Sequence, residues 1–582
     1  MSRLWHSYPA KAGFSGAYRQ GKPAPPLPHH ALKAAGMDHS PTLSSWPRSQ
    51  STGRDALAPL TFLGWRLGLA AIIAGLAASF FLCGYALVYW RNADMDLMVV
   101  YNALVLNDGR PQQFFDHTGY LTILSVKAWF EMLHAFGLLS SWSLSTMPPA
   151  SNPAAFDAAM TADIRAGRLL VWLIATSCVL IYAGLIRAIV RDWRLALIAT
   201  FAFAFSGGLA VHERILRTEL LAACPVIFAL MILIVIGRRA SAARPLWMAL
   251  CAALCMLGLE NKVQAVLLIA ALPFLALPFG GAQSASVAFW RNGRSSLVSA
   301  LVASIVAIIA IWAAWPLVAT GFDRSLLEPA GFHPLLLGRF GVYQALLLGL
   351  IGACILTYSA LWRISASETA ASMAAVAAGA ALALLVLNID YNANNVIAVF
   401  NPLEKMLKFA DAGTAAAANQ SSVSDILRLL LDGLGGVAAR YSFVLHSSPR
   451  PTVFLTWLIV PGIVYAWMRG EKQVAIEAFL LLMAAVGIDV LGVRRALKSE
   501  YFILTDPLII LAGALLLARM PDLRVRKWAY PIALVLFVLQ IAIGQAEPVK
   551  YALMRRGPES VCEWNQYYLP LMPLPWCPGT PS

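Results

Sequence analysis

The chain has 582 residues, of which 59% are hydrophobic and only 13% are charged, and its net charge is +14. A soluble domain is nearer half apolar and a quarter charged, so this composition excludes an ordinary soluble protein. Apolar runs of roughly 17–25 residues recur along most of the length, and each can cross a bilayer as a helix. The sequence therefore predicts an all-α polytopic membrane protein that lies in a lipid bilayer.

The first 60 residues differ from the rest of the chain. Most of this stretch is rich in proline, serine, histidine and basic residues and shows no apolar period. Such a composition buries too little apolar surface to fold, so we expect residues 1–60 to be a disordered basic cytoplasmic tail. The other basic residues cluster in short loops between apolar runs. We therefore expect no nucleic acid partner.

Residues 61–545 alternate apolar runs with short polar loops, and we predict about thirteen transmembrane helices there. The predicted spans are 66–90, 168–187, 195–211, 218–237, 245–260, 262–279, 297–319, 340–361, 370–388, 452–468, 473–491, 501–518 and 528–545. Every second loop is basic, and basic loops remain in the cytoplasm. This pattern favours the bacterial inner membrane, with a cytoplasmic N-terminus and a periplasmic C-terminus.

The same topology predicts substantial segments on the periplasmic face. They are a first loop at 91–167, a second large loop at 388–451 and a C-terminal tail at 546–582. The stretch 119–140 is semi-apolar, and we interpret it as amphipathic helices on the membrane surface. A true span there is the alternative, and it would invert the orientation of everything that follows.

The tail contains Cys562 and Cys577 in CEWNQYYLPLMPLPWC. Two cysteines that close a short polar loop suit an oxidising compartment, so we predict a disulfide between them. The alternative is a pair of unrelated thiols.

Arg91-Asn92-Ala93-Asp94-Met95-Asp96 follows the first apolar run directly. Carboxylates at the mouth of a membrane span cost free energy, and they are functional candidates by default. A DxD pattern can hold a metal with a nucleotide diphosphate, but we expect no nucleotide sugar on this face and thus no metal or other cofactor. We predict that one carboxylate is a general base, with Asp96 favoured over Asp94. A solvated helix cap paired with Arg91 is the alternative.

A second group lies in HERILRTELLAA, residues 212–223. Glu219 opens a predicted span, where the helix dipole favours a carboxylate. We predict that Glu219 is a second, supporting acid. An ion-pair cluster with Arg214 and Arg217 is the structural alternative.

A third group lies in RRALKSEYFILTDP, residues 494–507. Arg495 and Lys498 precede a span on the face where basic residues are uncommon, and a lipid phosphate would explain them. Their side chains could instead snorkel to the interface. His117, in FFDHTGY, is a weaker site candidate. Lys262 and Lys405 are weaker phosphate candidates still.

Together these pieces resemble the GT-C class of integral-membrane glycosyltransferases, which includes the protein O-mannosyltransferases and the aminoarabinose transferase of lipid A. ADMDLMVVYNALVLNDG is similar to the acidic motif of the class, and FDHTGYL to its His-Pro-Pro element, with Thr118 in place of proline. ERILRTELLAA is similar to RxILLDxxL, with Glu219 in the Asp position. Lys498-Ser499-Glu500-Tyr501 corresponds to the basic residue before a late span.

The resemblance implies a GT-C-like bundle that uses a polyprenyl-phosphate-linked sugar and inverts the anomeric carbon with one carboxylate base. The transferred sugar would be a hexose or a pentose. The acceptor would be a glycan, a lipid or a protein. The implied substrate-binding residues are Lys498, Arg495, Tyr501, His117 and Arg217.

Two alternatives come from other classes of protein. A transporter or flippase of lipid-linked saccharides would carry its ionisable groups near mid-membrane, often in repeated halves. In this sequence they lie at one rim, and no internal repeat is evident. A non-catalytic assembly subunit could carry the same carboxylates without using them.

Overall fold

A computed structural model describes residues 58–113, 119–237, 242–276, 278, 290–328, 333–361, 364–391, 402, 404, 423–442, 452–492, 499–519, 523–553, 562 and 569–577. Within these residues the secondary structure is helical throughout, and no strand occurs. The α-helices are α1 (Ala58–Phe80), α2 (Met98–Asn107), α3 (Tyr120–Ala135), α4 (Pro153–Val190), α5 (Trp193–Ala204), α6 (Gly207–His212), α7 (Glu219–Gly237), α8 (Arg244–Asn261), α9 (Ala265–Ala276), α10 (Gly293–Thr320), α11 (Arg324–Leu327), α12 (Gly338–Leu361), α13 (Ala366–Leu384), α14 (Val423–Ser442), α15 (Val453–Met468), α16 (Lys472–Gly492), α17 (Asp506–Arg519) and α18 (Leu523–Leu553).

Six helical stretches in the described part of the chain are long and apolar enough to cross a membrane. They are Leu63–Tyr85, Pro153–Val190, Glu219–Gly237, Gly293–Thr320, Ala366–Ile389 and Lys472–Val490. On α10, large apolar side chains such as those of Leu301, Ile308 and Trp312 are exposed, and this surface requires lipid rather than water. These are the features of a multi-pass membrane protein.

The predicted count of thirteen spans is not confirmed. The predicted span 195–211 is divided into α5 and α6, because Ser206 accepts a hydrogen bond from the Leu209 N–H and begins a new helix. The predicted span 501–518 begins with a 3₁₀ turn at Ser499–Leu504, and only the 14 residues of α17 follow as an α-helix. Polar caps therefore break apolar runs that look continuous in sequence.

The longest helix, α4, begins well before the predicted span at 168. Asn152 caps it by accepting from the Ala155 N–H, and Pro153 occupies its first turn. Its 38 residues rise about 57 Å, roughly twice the hydrocarbon thickness of a bilayer. One rigid element thus extends from the bundle into the predicted first loop.

The described residues pack around two main apolar cores. The larger core lies among α1, the C-terminal part of α4, α5, α7, α9 and α15 to α17. The second, which we call the first-loop core, contains α2, α3, the N-terminal part of α4 and the segment 569–577. Every residue from Met98 to Leu106 is buried, so α2 is enclosed on all sides.

The C-terminal segment is part of the first-loop core. Leu571 donates its N–H to the Tyr101 hydroxyl at 3.1 Å. Trp576 contacts the Tyr89 ring with centroids 5.8 Å apart. Segment 569–577 therefore packs against α2 and covers part of it, so it is not a separate tail.

A disulfide joins Cys562 and Cys577, whose Cα atoms are 5.4 Å apart. The bridge closes a loop with a sequence separation of 15 residues, and its second cysteine directly follows Trp576. The bridge therefore restrains the segment that covers α2.

Replacing Cys562 and Cys577 together by serine should loosen the C-terminal segment. A loop of this size contributes about 3 kcal/mol in the chain-entropy model of disulfides. The expected result is faster protease cleavage of residues 554–582 and a lower unfolding temperature of purified protein. Cys354→Ala, at a cysteine outside any bridge, is the matched control. Equal protease resistance of the double variant and the control would contradict this role of the bridge.

Candidate functional site

A buried ion pair joins distant segments beside the ends of several helices. Arg168, on α4, donates from Nε and Nη2 to Asp96 Oδ2 at 3.1 and 2.6 Å. Its Nη1 donates to the carbonyls of Gly84 at 3.1 Å and Leu87 at 2.5 Å. Asp96 Oδ1 accepts the Leu216 N–H at 2.7 Å. Both side chains of the pair are fully buried, so the bonds between Arg168 and Asp96 are made away from water.

The turn 213–218, which connects α6 to α7, is held from two further directions. Arg214 donates to the Ser79 hydroxyl on α1 and to the Gln545 side-chain carbonyl on α18. The Asn261 amide at the end of α8 donates to the Thr218 carbonyl. Together with the bond to Asp96, these contacts position the start of α7.

The start of α7 carries a group of opposite charges that we call the charged cluster: Arg217, Glu219, Lys262 and Glu500. Lys262 Nζ forms an ion pair with Glu219 Oε1. Arg217 bridges two carboxylates, with Nε 3.4 Å from Glu219 Oε2 and Nη2 3.3 Å from Glu500 Oε1. Lys262 Nζ also lies 5.8 Å from the centroid of the Tyr501 ring, within cation–π range.

The charged cluster is more open on one side than on the other. The side chains of Glu219 and Lys262 are 1% and 3% exposed, whereas those of Arg217 and Glu500 are 11% and 13% exposed. A ligand from outside would thus meet Arg217 and Glu500 first. Glu219 lies in the first turn of α7, where the helix dipole adds positive potential.

The segment Ser499–Leu504 carries Glu500 and Tyr501 and is packed tightly against α6. A Cβ atom at Gly208 would lie 2.3 Å from the backbone nitrogen of Ile503, so only glycine permits this approach. His212 Nε2 donates to the Glu500 carbonyl at 2.9 Å. Burial lowers the pKa of His212 to about 4, so this imidazole is neutral at physiological pH and adds no charge to the cluster.

The structure brings together part of the predicted site. Glu219, Arg217 and Tyr501 lie in or beside the charged cluster, and Asp96 is linked to it through the turn 213–218. The backbone of Asp94 belongs to the helical turn Ala93–Leu97, but its side chain lies outside the described part. Residues His117, Arg495 and Lys498 also lie outside the described residues.

Sequence reasoning did not single out Arg168, named Glu500 only within Lys498-Ser499-Glu500-Tyr501, and named Lys262 only as a weaker phosphate candidate. Arg168 was placed at the edge of a predicted span, although a lone arginine beside an apolar run is itself a signal of a buried partner. Glu500 lies next to Tyr501, which the third motif marks, whereas Lys262 lies outside the three motifs. Among the described residues, no group of three or more His, Cys, Asp or Glu side chains is placed to hold a metal ion.

Comparison with protein-family models gives no match, and comparison with curated proteins gives none either. Among solved structures, the chain is similar to the archaeal oligosaccharyltransferase AglB from Archaeoglobus fulgidus, in complex with an inhibitory peptide and a dolichol-phosphate. The TM-score is 0.44 and the sequence identity 14%, over 89% of this chain and 60% of AglB. The chain thus spans well under two thirds of the length of that protein.

Asp96→Asn keeps the size of the side chain but removes the charge opposite Arg168. Removing one partner of a buried ion pair leaves the other uncompensated, so we expect a loss of about 3–5 kcal/mol in the free energy of unfolding. Glu131→Gln is the matched control, because its pair with Lys127 is 44% exposed on the glutamate side, and surface pairs contribute about 0–1 kcal/mol. Unfolding in mixed micelles measures both.

Combining Asp96→Asn with Arg168→Met should recover part of the lost stability, since no buried charge then remains unpaired. If Asp96→Asn unfolds like the wild-type protein, the ion pair does not stabilise the fold. Asp96 as a general base then stays the simpler prediction.

Proposed function

We propose that the chain is a membrane glycosyltransferase that moves a sugar from a polyprenyl-phosphate donor to an acceptor at the periplasmic face, with inversion at the anomeric carbon. The observation that supports this most is the charged cluster. It gathers two cations and two carboxylates at the ends of apolar helices, mostly buried and open at Arg217 and Glu500. A substrate that is half lipid and half anionic sugar phosphate suits such a position.

The leaving group of this reaction is a lipid phosphate, and it gains negative charge as the glycosidic bond breaks. Cations held near that oxygen stabilise the transition state. Arg217 and Lys262 are the described residues suited to this role. Lys498 and Arg495 precede Ser499–Leu504 in sequence, and we propose them as further phosphate ligands.

A carboxylate completes the proposed reaction by taking the proton of the acceptor hydroxyl. The motif resemblance assigns this role to Asp96, with Asp94 as the second choice and Glu219 as a supporting acid. Tyr501 and His117 would contact the donor. The donor sugar is a hexose or a pentose, the acceptor a glycan, a lipid or a protein, and no cofactor is required.

The position of the charges favours this proposal over a flippase of lipid-linked saccharides. Glu219 begins α7, Lys262 follows the last residue of α8, and Glu500 precedes α17. A transporter would need such groups near the middle of broken helices. If the purified protein transfers sugar without other proteins, it is not a non-catalytic subunit.

Transfer of radiolabelled sugar by the purified protein tests the proposal. The donors are undecaprenyl phosphates that carry mannose, glucose or arabinose, and the acceptors are lipid, glycan and protein fractions of the bacterial envelope. Turnover by the purified chain is expected. Such turnover would exclude the flippase and the assembly subunit, because neither forms a glycosidic bond. The absence of transfer from all of these donors would refute the proposal.

Arg217→Met and Lys262→Met should each weaken donor binding. One charge-assisted contact contributes about 1.5–3 kcal/mol, and its loss corresponds to an increase of roughly 10- to 150-fold in the donor KM. Lys498→Ala should act in the same direction. Lys127→Met is the matched control, since Lys127 also bridges two carboxylates, Glu131 and Asp390, at 3.0 and 3.1 Å. An unchanged donor KM in all three site variants would exclude these cations as phosphate ligands.

We also propose that the N-terminus is cytoplasmic and the C-terminus periplasmic, in the bacterial inner membrane. Alkaline phosphatase fused after Ser582 should then be active, because it folds only after export, and green fluorescent protein at the same position should be dark. The opposite pair of results would invert the topology and place the charged cluster on the cytoplasmic face.

A further inference from the structure

One buried carboxylate beside the charged cluster has no evident task. Glu260 lies in the last turn of α8 and is 1% exposed. Its Oε1 finds no hydrogen-bond partner in the part of the chain that the structure describes. A buried carboxylate without a partner is costly, so it persists where function requires it.

Glu260 faces away from the helix that carries Glu219. At Gly258 the backbone of α8 touches α7, since a Cβ there would lie 2.6 Å from the Ala222 carbonyl oxygen. Glu260 is two residues further on, which is about 200° around the helix. Met256, one turn earlier on the same face of α8, packs against the first-loop core, so Glu260 points toward that core. Burial, and after it the negative charge of Glu260, raises the pKa of Tyr120 at the start of α3, which indicates that the two side chains are close.

Three other described carboxylates of this site, those of Asp96, Glu219 and Glu500, are already bound to donors. Asp96 accepts bonds from Arg168 and from the Leu216 N–H. Glu219 is paired with Lys262 and Arg217, and Glu500 with Arg217. A general base needs an available lone pair aimed at the proton that it removes. Only a carboxylate that is not neutralised by the phosphate-binding cations meets this need without first breaking an ion pair.

We infer that Glu260 is the general base of the proposed glycosyl transfer. The inference rests on the proposed function and moves to Glu260 the role that the motif resemblance gives to Asp96. Asp96 then acts as a positioning residue, because it holds the turn 213–218 that carries Arg217.

The step balances as follows. The oxygen of the acceptor hydroxyl attacks the anomeric carbon, and its proton passes to a carboxylate oxygen of Glu260. The bond from the anomeric carbon to the phosphate oxygen breaks, and its electron pair leaves with polyprenyl phosphate. Glu260 then releases the proton to water. Inversion requires the base and the leaving phosphate on opposite sides of the anomeric carbon, so a base that is separate from Arg217 and Lys262 suits this geometry.

Glu260→Gln distinguishes this role from a structural one. Burial raises the pKa of Glu260 to about 9, so this side chain carries no charge at neutral pH before it acts. Glutamine keeps both the shape and the neutrality, so the variant should unfold at about the same temperature as the wild-type protein. Its transfer rate should fall about 10²–10⁴-fold while its affinity for undecaprenyl phosphate, measured by thermal shift, stays within about twofold. Because the pKa of Glu260 is raised, transfer by the wild-type protein should rise with pH up to about 9 as Glu260 loses its proton, and the rise should disappear in the residual activity of the variant.

The matched control is Asp163→Asn on α4. Asp163 is also fully buried, accepts from the Ser141 hydroxyl at 2.6 Å and has an Oδ2 without a partner among the described residues. It should keep at least half of wild-type transfer. Glu260→Asp should retain measurable transfer, and added formate should partly restore Glu260→Ala, which keeps the test decisive if Glu260→Gln is poorly produced.

Near-normal transfer by Glu260→Gln would overturn the inference and leave the proposed function intact. A loss of transfer together with undecaprenyl phosphate binding would also overturn it, because Glu260 would then support the fold of the donor site. If the wild-type protein transfers no sugar from any donor, the proposed function and the inference both fail.

Discussion

The ion pair between Arg168 and Asp96 is the contact on which the arrangement of this protein depends. Through four hydrogen bonds, one guanidinium ties α4 to the end of the first helix and to the acidic motif that follows it. Asp96 passes the constraint to the backbone of Leu216. Because the pair is fully buried, removing its two charges from water costs free energy. That cost is offset only when all of these hydrogen-bond partners come together. The pair therefore links these segments and also disfavours arrangements in which any of them is misplaced.

A second constraint is that charges near a membrane must be neutralised locally. The charged cluster satisfies this by alternation, since each of its cations contacts a carboxylate and Arg217 contacts two. Tight backbone contacts make the alternation possible. Gly208 admits Ser499–Leu504 against α6, and Gly258 admits α7 against α8. Small residues thus decide how closely the charged ends of four helices approach.

Much of the helical pattern is readable from sequence, and the site is readable only in part. Apolar runs predict the bounds of α7 to within one residue and those of α10 to within four, because their length and hydropathy are local properties. The proximity of Arg217 and Glu219 is equally local. The partners of Asp96, Glu219 and Arg217 are 72, 43 and 283 residues away in sequence, and no local pattern encodes such pairings. Caps mattered as well: Ser206 and Asn152 moved helix boundaries that hydropathy alone had placed elsewhere.

The packing of segment 569–577 onto α2 has a consequence for biosynthesis. The ribosome makes α2 early and the covering segment 569–577 only after α18, which is the last helix that the structure describes. Leu569, Met572 and Leu574 are nevertheless buried in the same core as α2. The first-loop core therefore remains incomplete while the helices between α2 and residue 569 are made and inserted. Until segment 569–577 emerges, the apolar side chains of this core need a temporary cover, such as a chaperone or the membrane surface.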